Sequence, residues 1–171
     1  MRLSSLAALA GLIAGCVSFP AAPVAKFQPA LTESAFVAAD GARLGLTFWR
    51  AEQPVAIVAA VHGMNDYANA FSLAAPEWAK RGISTYAYDQ RGFGRSPELG
   101  VWPGAPALKQ DLHDFVAALR RAHPGSPVFV AGHSMGAAVV MAAHRDRPLD
   151  ADGIILAAPG VWGGAQMPLF Y

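Results

Sequence analysis

The chain has one cysteine in 171 residues, at position 16. It can therefore close no internal disulfide and cannot build a Cys-rich zinc site. Charge is also scarce: 15% of residues are Asp, Glu, Lys or Arg, and 13 cationic against 12 acidic side chains leave a formal net charge of +1. No run of Lys and Arg concentrates that charge, which argues against a nucleic-acid partner. No apolar run approaches the roughly twenty residues that a membrane-spanning helix needs. The apolar stretch near the N-terminus covers residues 6–15. What remains is 54% hydrophobic and 10% aromatic, with 17 Gly and 13 Pro, the composition of an ordered globular chain with one core. Nothing in it implies a metal or another cofactor.

The first sixteen residues have the layout of a secretory leader. Arg2 precedes a short apolar stretch that ends in small residues. The run Ile13-Ala14-Gly15-Cys16 resembles the lipobox of bacterial lipoproteins. That resemblance implies a diacylglyceryl group on Cys16 and cleavage that leaves Cys16 as the new N-terminus. It also implies a place in the bacterial cell envelope, anchored to a membrane and facing the periplasm or the exterior. The alternatives are an ordinary signal peptide with an incidental cysteine, or a retained apolar anchor. Losing residues 1–15 removes Arg2 and leaves 12 cationic against 12 acidic side chains, so the membrane attraction would have to come from the lipid. One acyl chain binds a bilayer marginally, whereas a multiply acylated cysteine anchors stably. Pro20, Pro23 and Pro29 then mark a semi-extended tether. The expected division is residues 1–15 as signal peptide, 16–33 as tether and 34–171 as one folded domain.

Within that domain, β-type runs alternate with helical ones. Residues 34–39 and 43–49, divided by Asp40-Gly41, read as an opening hairpin. Residues 55–61 form a continuous apolar run, expected of a strand buried on both faces. A helix over 68–81 stopping at Gly82, a strand over 83–88 and an amphipathic helix over 107–122 follow. The last of these places Leu108, Leu112, Phe115, Val116 and Leu119 on one stripe. A strand over 128–131, a helix over 137–144 and a strand over 153–157 complete the order. Such alternation predicts an α/β domain with a mostly parallel, doubly wound sheet.

Between the strand at 128–131 and the next helix stands Gly132-His133-Ser134-Met135-Gly136. This is the G-x-S-x-G pattern of a nucleophile elbow, in the strand–turn–helix setting that it requires. The turn strains the serine backbone and leaves no room for side chains two positions away, hence Gly132 and Gly136. A helix starting at the turn aims its N-terminal amides at developing negative charge, so the Met135 N–H is a candidate oxyanion donor. His133 is expected to pack beneath the elbow.

Two further stretches follow earlier strands: His62-Gly63-Met64-Asn65-Asp66, and Asp89-Gln90-Arg91-Gly92-Phe93-Gly94-Arg95-Ser96. Pro97 stands where a dinucleotide-binding glycine motif would need its third glycine, so the second is read as a structural loop braced by Asp89 and Arg91. Together with the elbow, the two stretches resemble the α/β-hydrolase superfamily, and within it the group of monoacylglycerol lipases, lysophospholipases and serine aminopeptidases. The resemblance runs from about residue 34 to about 164. It implies that the loop His62-Gly63 presents the Met64 N–H as the second oxyanion donor. The group often has Gly-Glu where this chain has Asn65-Asp66.

An activated serine needs a histidine base oriented by a carboxylate. In this superfamily the order is Ser, then acid, then His. Asp146, Asp150 and Asp152 follow Ser134, but no histidine follows them. His144 lies about 15 Å down the helix from Ser134, His62 belongs to the oxyanion loop, and His113 and His123 read as surface or interhelical residues. The sequence therefore reads as an α/β-hydrolase fold cut short after about the sixth strand, with the base and acid absent. The expected activity is that of a serine ester hydrolase, lipase- or esterase-like, forming an acyl-enzyme on Ser134 with a lipid or small-molecule ester. The fragment alone is expected to be inactive. A peptidase, a thioesterase and a non-catalytic lipoprotein module are the alternatives.

Overall fold

A computed structural model describes residues 20–161. Its seven strands are β1 (Ala30–Leu31), β2 (Ala35–Val37), β3 (Arg43–Trp49), β4 (Ala56–Val61), β5 (Ile83–Tyr88), β6 (Val128–His133) and β7 (Gly153–Ala157). They form a single sheet in the order β1-β2-β3-β5-β4-β6-β7. The flank from β1 to β3 is antiparallel, as is the β3–β5 pairing, while β5, β4, β6 and β7 run parallel. Non-sequential neighbours require crossovers, and the helices supply them: α1 (Ala74–Ala79), α2 (Ala105–Ala122) and α3 (Met135–Asp146).

The side-chain period of a strand explains the apolar run in β4. Ile57, Ala59 and Val61 point into a core shared with α2 and α3, where Phe36, Leu44, Tyr88, Leu112, Phe115 and Val140 are buried. Val58 and Ala60 point the other way, into a smaller core with Ala68, Phe71 and Ala75 under α1. A strand covered on both faces has no polar face to show. In α2 the stripe Leu108, Leu112, Phe115, Val116 and Leu119 is buried, Pro106 lies in the first turn, and Arg120 and Arg121 close the last. Both ends suit the helix, because proline lacks an amide that would go unpaired there and cations complement the C-terminal dipole.

Three departures from the expected elements have local causes. The ladder begins earlier than residue 34: Ala30–Leu31 pairs with β2, and the Lys26 and Phe27 amides both donate to Ala39 O, at 2.7 and 2.8 Å. The segment therefore docks on the sheet before the expected end of the tether and adds a seventh strand. The helix expected over 68–81 is split into a 3₁₀ turn at Ala68–Phe71 and the six-residue α1. Leu73, between them, is 88% exposed, so no apolar contact holds a continuous helix there, and Pro76 in α1 lacks an amide to donate. Helix α3 starts two residues earlier than expected, directly at the elbow. Cys16 and residues 1–15 lie outside the described residues.

Candidate active site

The geometry around Ser134 follows from strand register. β4 and β6 are parallel neighbours whose last pair is Val61 with Gly132. Two residues further along each chain, Gly63 comes level with Ser134. A Cβ built on Gly63 would stand 3.2 Å from the serine Cβ. The next residues are Met64, in the loop after β4, and Met135, the first residue of α3. Neither the Met64 nor the Met135 amide donates to an acceptor among the described residues.

Ser134 has φ 52° and ψ −118°, a left-handed setting that costs a non-glycine residue about 1–3 kcal/mol. The backbone around it compensates. Its amide donates to Ala157 O at 3.0 Å, and its carbonyl accepts from the amides of Ala137, Ala138 and Gly160 at 3.1, 3.2 and 3.0 Å. The flanking glycines are steric necessities. A Cβ on Gly136 would lie 2.2 Å from Val61 O, and one on Gly132 would lie 2.6 Å from Ala137 Cα. Either would lever α3 away from the sheet.

His62 is fully buried. The Gln90 amide donates to its Nε2 at 2.9 Å, which leaves the proton on Nδ1, 2.8 Å from Gly63 O. Burial pushes the imidazole below its ordinary pKa, against the opposing pull of the Gly63 carbonyl and of Asp89 and Asp66. The neutral ring therefore has both nitrogens committed and pins the loop carrying Gly63 and Met64. The Gln90 side-chain amide donates to His62 O at 2.8 Å, a second tie on the same loop. Asn65 sits at φ 56°, a region that Asn tolerates better than most residues. The departure Asn65 from the group's usual glycine thus keeps the turn.

The stretch after β5 is a brace. Asp89 is buried and accepts from the Ala68 amide at 2.9 Å and from the Arg95 amide and Nε at 2.8 Å each. Burial opposes its ionisation, yet the Arg95 and Ala68 hydrogen bonds hold the carboxyl below the usual carboxylate range. Arg91 forks onto Asp111 at 2.7 and 2.8 Å and reaches Asp40 at 2.9 Å. It thereby ties the β2–β3 turn to α2. Burial pushes the Asp111 carboxyl up to about 6 in spite of the Arg91 fork.

No histidine stands as a partner for Ser134 among the described residues. His62 is committed as above, and His144 Nδ1 accepts from the Leu149 amide at 3.2 Å. His123 packs against Tyr86, and His113 lies on α2. His133, expected beneath the elbow, is instead exposed at the end of β6. Alternation puts it on the face covered by α1, as Phe129 and Ala131 are, but the six-residue helix leaves that end of the strand uncovered.

Two features of the site lacked a sequence signal. The segment Ala157–Gly160 buttresses the elbow through backbone groups alone, and Gln90 acts through contacts 28 residues distant in sequence. A cavity of about 600 Å³ opens beside Met64, lined also by Tyr67, Phe93, Leu99, Val101 and Trp102.

Comparison with known proteins agrees with this architecture. Residues 52–171 match the family described as serine aminopeptidase, S33. Rat monoglyceride lipase is 30% identical over 125 residues, which are 72% of this chain and 41% of that protein. The monoacylglycerol lipase of Mycolicibacterium smegmatis is 30% identical over 138 residues, 76% of this chain and 47% of that protein. A thermostable carboxyl esterase from Bacillus coagulans superposes with a TM-score of 0.61 at 21% identity, over 74% of this chain and 44% of that one. The chain thus spans less than half the length of the relatives it matches. By its family match and its sheet, elbow and loop architecture, it belongs to the serine aminopeptidase S33 family of the α/β-hydrolases.

Proposed function

We propose that this chain supplies the nucleophile and the oxyanion donors of a serine hydrolase acting on lipid acyl esters. The observation that carries the reading is the strained Ser134, next to Met135 in the chain and level with the Gly63 that precedes Met64, with neither methionine amide donating to an acceptor among the described residues. Ser134 Oγ attacks the ester carbonyl as a base takes its proton. The tetrahedral oxyanion then forms between the two amides. Collapse expels the alcohol, which leaves with a proton from that base, and water releases the acid from the acyl-serine. The names of the relatives, monoglyceride and monoacylglycerol lipases, support a lipid ester as the substrate.

No histidine is hydrogen-bonded to the Ser134 side chain among the described residues, which supports a histidine base supplied from outside these 171 residues. The chain alone turns over little or no ester. Cys16 is the lipid attachment point, and the protein acts from a membrane of the bacterial envelope. This part of the reading rests on Ile13-Ala14-Gly15-Cys16.

A fluorophosphonate probe tests the nucleophile. Labelling at Ser134 of the full-length protein, where the base is present, abolished in Ser134→Ala, is the expected result, and equal labelling of the variant overturns the assignment. Hydrolysis of a soluble ester by the 171-residue chain at an ordinary enzymatic rate would overturn the claim that its base lies elsewhere. The non-catalytic alternative has one observation in its favour, that no histidine is hydrogen-bonded to the Ser134 side chain among the described residues. It predicts no labelling of Ser134 in any context.

A further inference from the structure

Away from Ser134, the face of the sheet under α2 runs out of cover before the strands do. Leu44, Leu46 and Phe48 of β3 alternate onto that face, as do Tyr86 and Tyr88 of β5. Ser84 on β5 and Arg50, one residue past β3, continue the same period. The buried stripe of α2 ends at Leu119, and the helix stops at His123, whose backbone leaves the helical region with φ −131° and ψ 63°. The corner left open is a cavity of about 630 Å³ between β1, the ends of β3 and β5, and the last residues of α2. It is remote from the elbow. Ser84 is level with Ile57, and Ile57 with Val128. Ser134 lies six positions beyond Val128, about 20 Å along a strand.

The lining divides into an apolar floor and a polar rim with spare hydrogen-bonding capacity. Leu31, Leu46, Phe48 and Tyr86 form the floor. The Arg50 guanidinium stands 4.2 Å from the centre of the Phe48 ring. It pairs with no carboxylate among the described residues. Stacking occupies the face of a guanidinium and leaves its N–H edge for an anion. Ser84 is buried and accepts from the Ala51 amide at 3.0 Å, so its own proton is free to donate. His123 packs on Tyr86 with ring centres 5.1 Å apart, and its ring nitrogens make no hydrogen bond among the described residues. Burial, and after it the Arg50 charge, hold the imidazole below its ordinary pKa. The neutral ring has one N–H to give. Three donors of different kinds thus converge, unused, on one apolar hollow, which is the build of a small-molecule site.

We propose that this cavity binds a small monocarboxylate with an apolar body, the body on Leu31, Leu46 and Phe48 and the carboxylate held by Arg50, Ser84 and His123. One cation and two neutral donors suit a single negative charge that carries several lone pairs. Glu33, the acidic residue of the lining, stands against a second negative charge and so against a phosphate. The volume falls within the range of about 300–1,000 Å³ that such sites have. The inference does not depend on Ser134 being a nucleophile.

Octanoate is the probe, added to the full chain with isotope-labelled imidazoles and followed by NMR. The His123 signal, assigned by its loss in His123→Gln, should shift saturably. Its midpoint should move up, because a bound carboxylate offsets the repulsion from Arg50. The other titratable or charged groups around the ring are Glu33 and Tyr86 on the cavity side, and Arg120 and Asp152 on the other. Arg120 and Asp152 are already paired at 2.9 Å. His133, next to Ser134, reports separately on octanoate at the elbow. Arg50→Gln, an exposed change that keeps an apolar stem on Phe48, should weaken binding roughly 10-fold, the scale of one charge-assisted hydrogen bond. Octanol and octyl phosphate should each bind roughly 10-fold more weakly than octanoate on the same scale. An unmoved His123 overturns the proposal, whether or not His133 shifts. So does a His123 shift undiminished in Arg50→Gln. Octanol as tight as octanoate would leave only an apolar hollow, and octyl phosphate as tight would remove the carboxylate assignment.

Discussion

At one edge of the sheet, β1 is two residues long, and the chain before it is tied to the fold by the Lys26 and Phe27 amides on Ala39 O and by Arg121 on Pro29 O. Next to it, β2 buries Ala35 and Phe36. At the other edge, β7 pairs only with β6 among the described residues. Its Ile154, Ile155 and Leu156 are 36%, 53% and 40% exposed. Consecutive strand residues point to opposite faces, so this strand is apolar and uncovered on both sides. The first edge is short and protected, as stable edges are. The second has the composition of an interior strand in the position of an edge. The difference locates where the fold is self-sufficient: from β1 through β5, with α2 packed over them, side chains find partners, whereas around β7 they do not.

The sharpest way to break that comparison is to damage the finished half. Arg91→Met would strand the buried Asp111 and release Asp40 from its cation. Removing one partner of a buried ion pair costs about 3–5 kcal/mol, and we expect a loss of that size at pH 8 in urea unfolding. The pH dependence has a definite sign. A carboxyl whose folded pKa is raised, as that of Asp111 is to about 6, favours folding most below its unfolded value. That contribution disappears as pH rises through the folded value. Without Arg91 the folded value climbs further, so the variant's deficit relative to the parent narrows as pH falls from 8 to 5. Asp40 and Asp89 are held below the ordinary 3.8, so their contributions are lost at lower pH, while the lowered imidazoles of His62, His113 and His123 cost stability on acidification in parent and variant alike and cancel in the difference. A variant as stable as the parent, or a deficit that does not change between pH 5 and 8, would show that the Arg91 pair does not hold this half together.

The same logic makes β7 cheap to change. Ile155→Lys on an exposed strand should shift stability by no more than about 0.5 kcal/mol. Its effect should appear in association instead. An uncovered apolar edge invites pairing with other chains, and an inward or edge lysine is a usual deterrent. Sedimentation velocity of the 171-residue chain should show oligomers that diminish in Ile155→Lys. A monomeric parent chain, or a substitution that unfolds it, would mean that β7 is not an open edge.

Much of this was legible in the sequence because it is local. The apolar run of β4, the stripe of α2 and the Gly-x-Ser-x-Gly turn each carry their signal within a few residues, and strand β5 falls at residues 83–88 as expected. Met135 is named by the elbow motif and Met64 by family resemblance alone, and the parallel register of β4 and β6 brings Gly63, the residue before Met64, level with Ser134. What could not be read was held by distant backbone groups. Pro29 obscures β1, whose residues Ala30 and Leu31 pair with Val37 and Phe36. The tie from Gln90 to His62 spans 28 residues. Ala157–Gly160 looks like an ordinary strand end until its hydrogen bonds to Ser134 are seen. His133 was expected under the elbow because motif position says nothing of how far α1 extends.

That last segment gives the smallest and most discriminating test, because it joins the two halves. A Cβ on Gly160 would lie 3.3 Å from the Met135 amide nitrogen and 3.3 Å from the Ser134 carbonyl carbon, a contact the neighbours can absorb by a few tenths of an ångström. Gly160→Ala should therefore leave stability within about 1 kcal/mol of the parent. If the Met135 N–H receives the oxyanion, a small displacement still matters, because such donors act only at well-defined distances. Complete removal of one costs about 10²–10³ in rate, so a partial shift should slow fluorophosphonate labelling of Ser134 in the full-length protein by a smaller factor, roughly 3- to 10-fold on the same scale. Ala158→Gly is the control: Ala158 sits at φ 45°, so glycine relieves strain in the same segment without touching the amide. Labelling that slows in Gly160→Ala and not in Ala158→Gly assigns the effect to the Ser134–Met135 peptide that Gly160 touches. Labelling unchanged in both would remove Met135 from the oxyanion site while leaving the rest of the elbow as described.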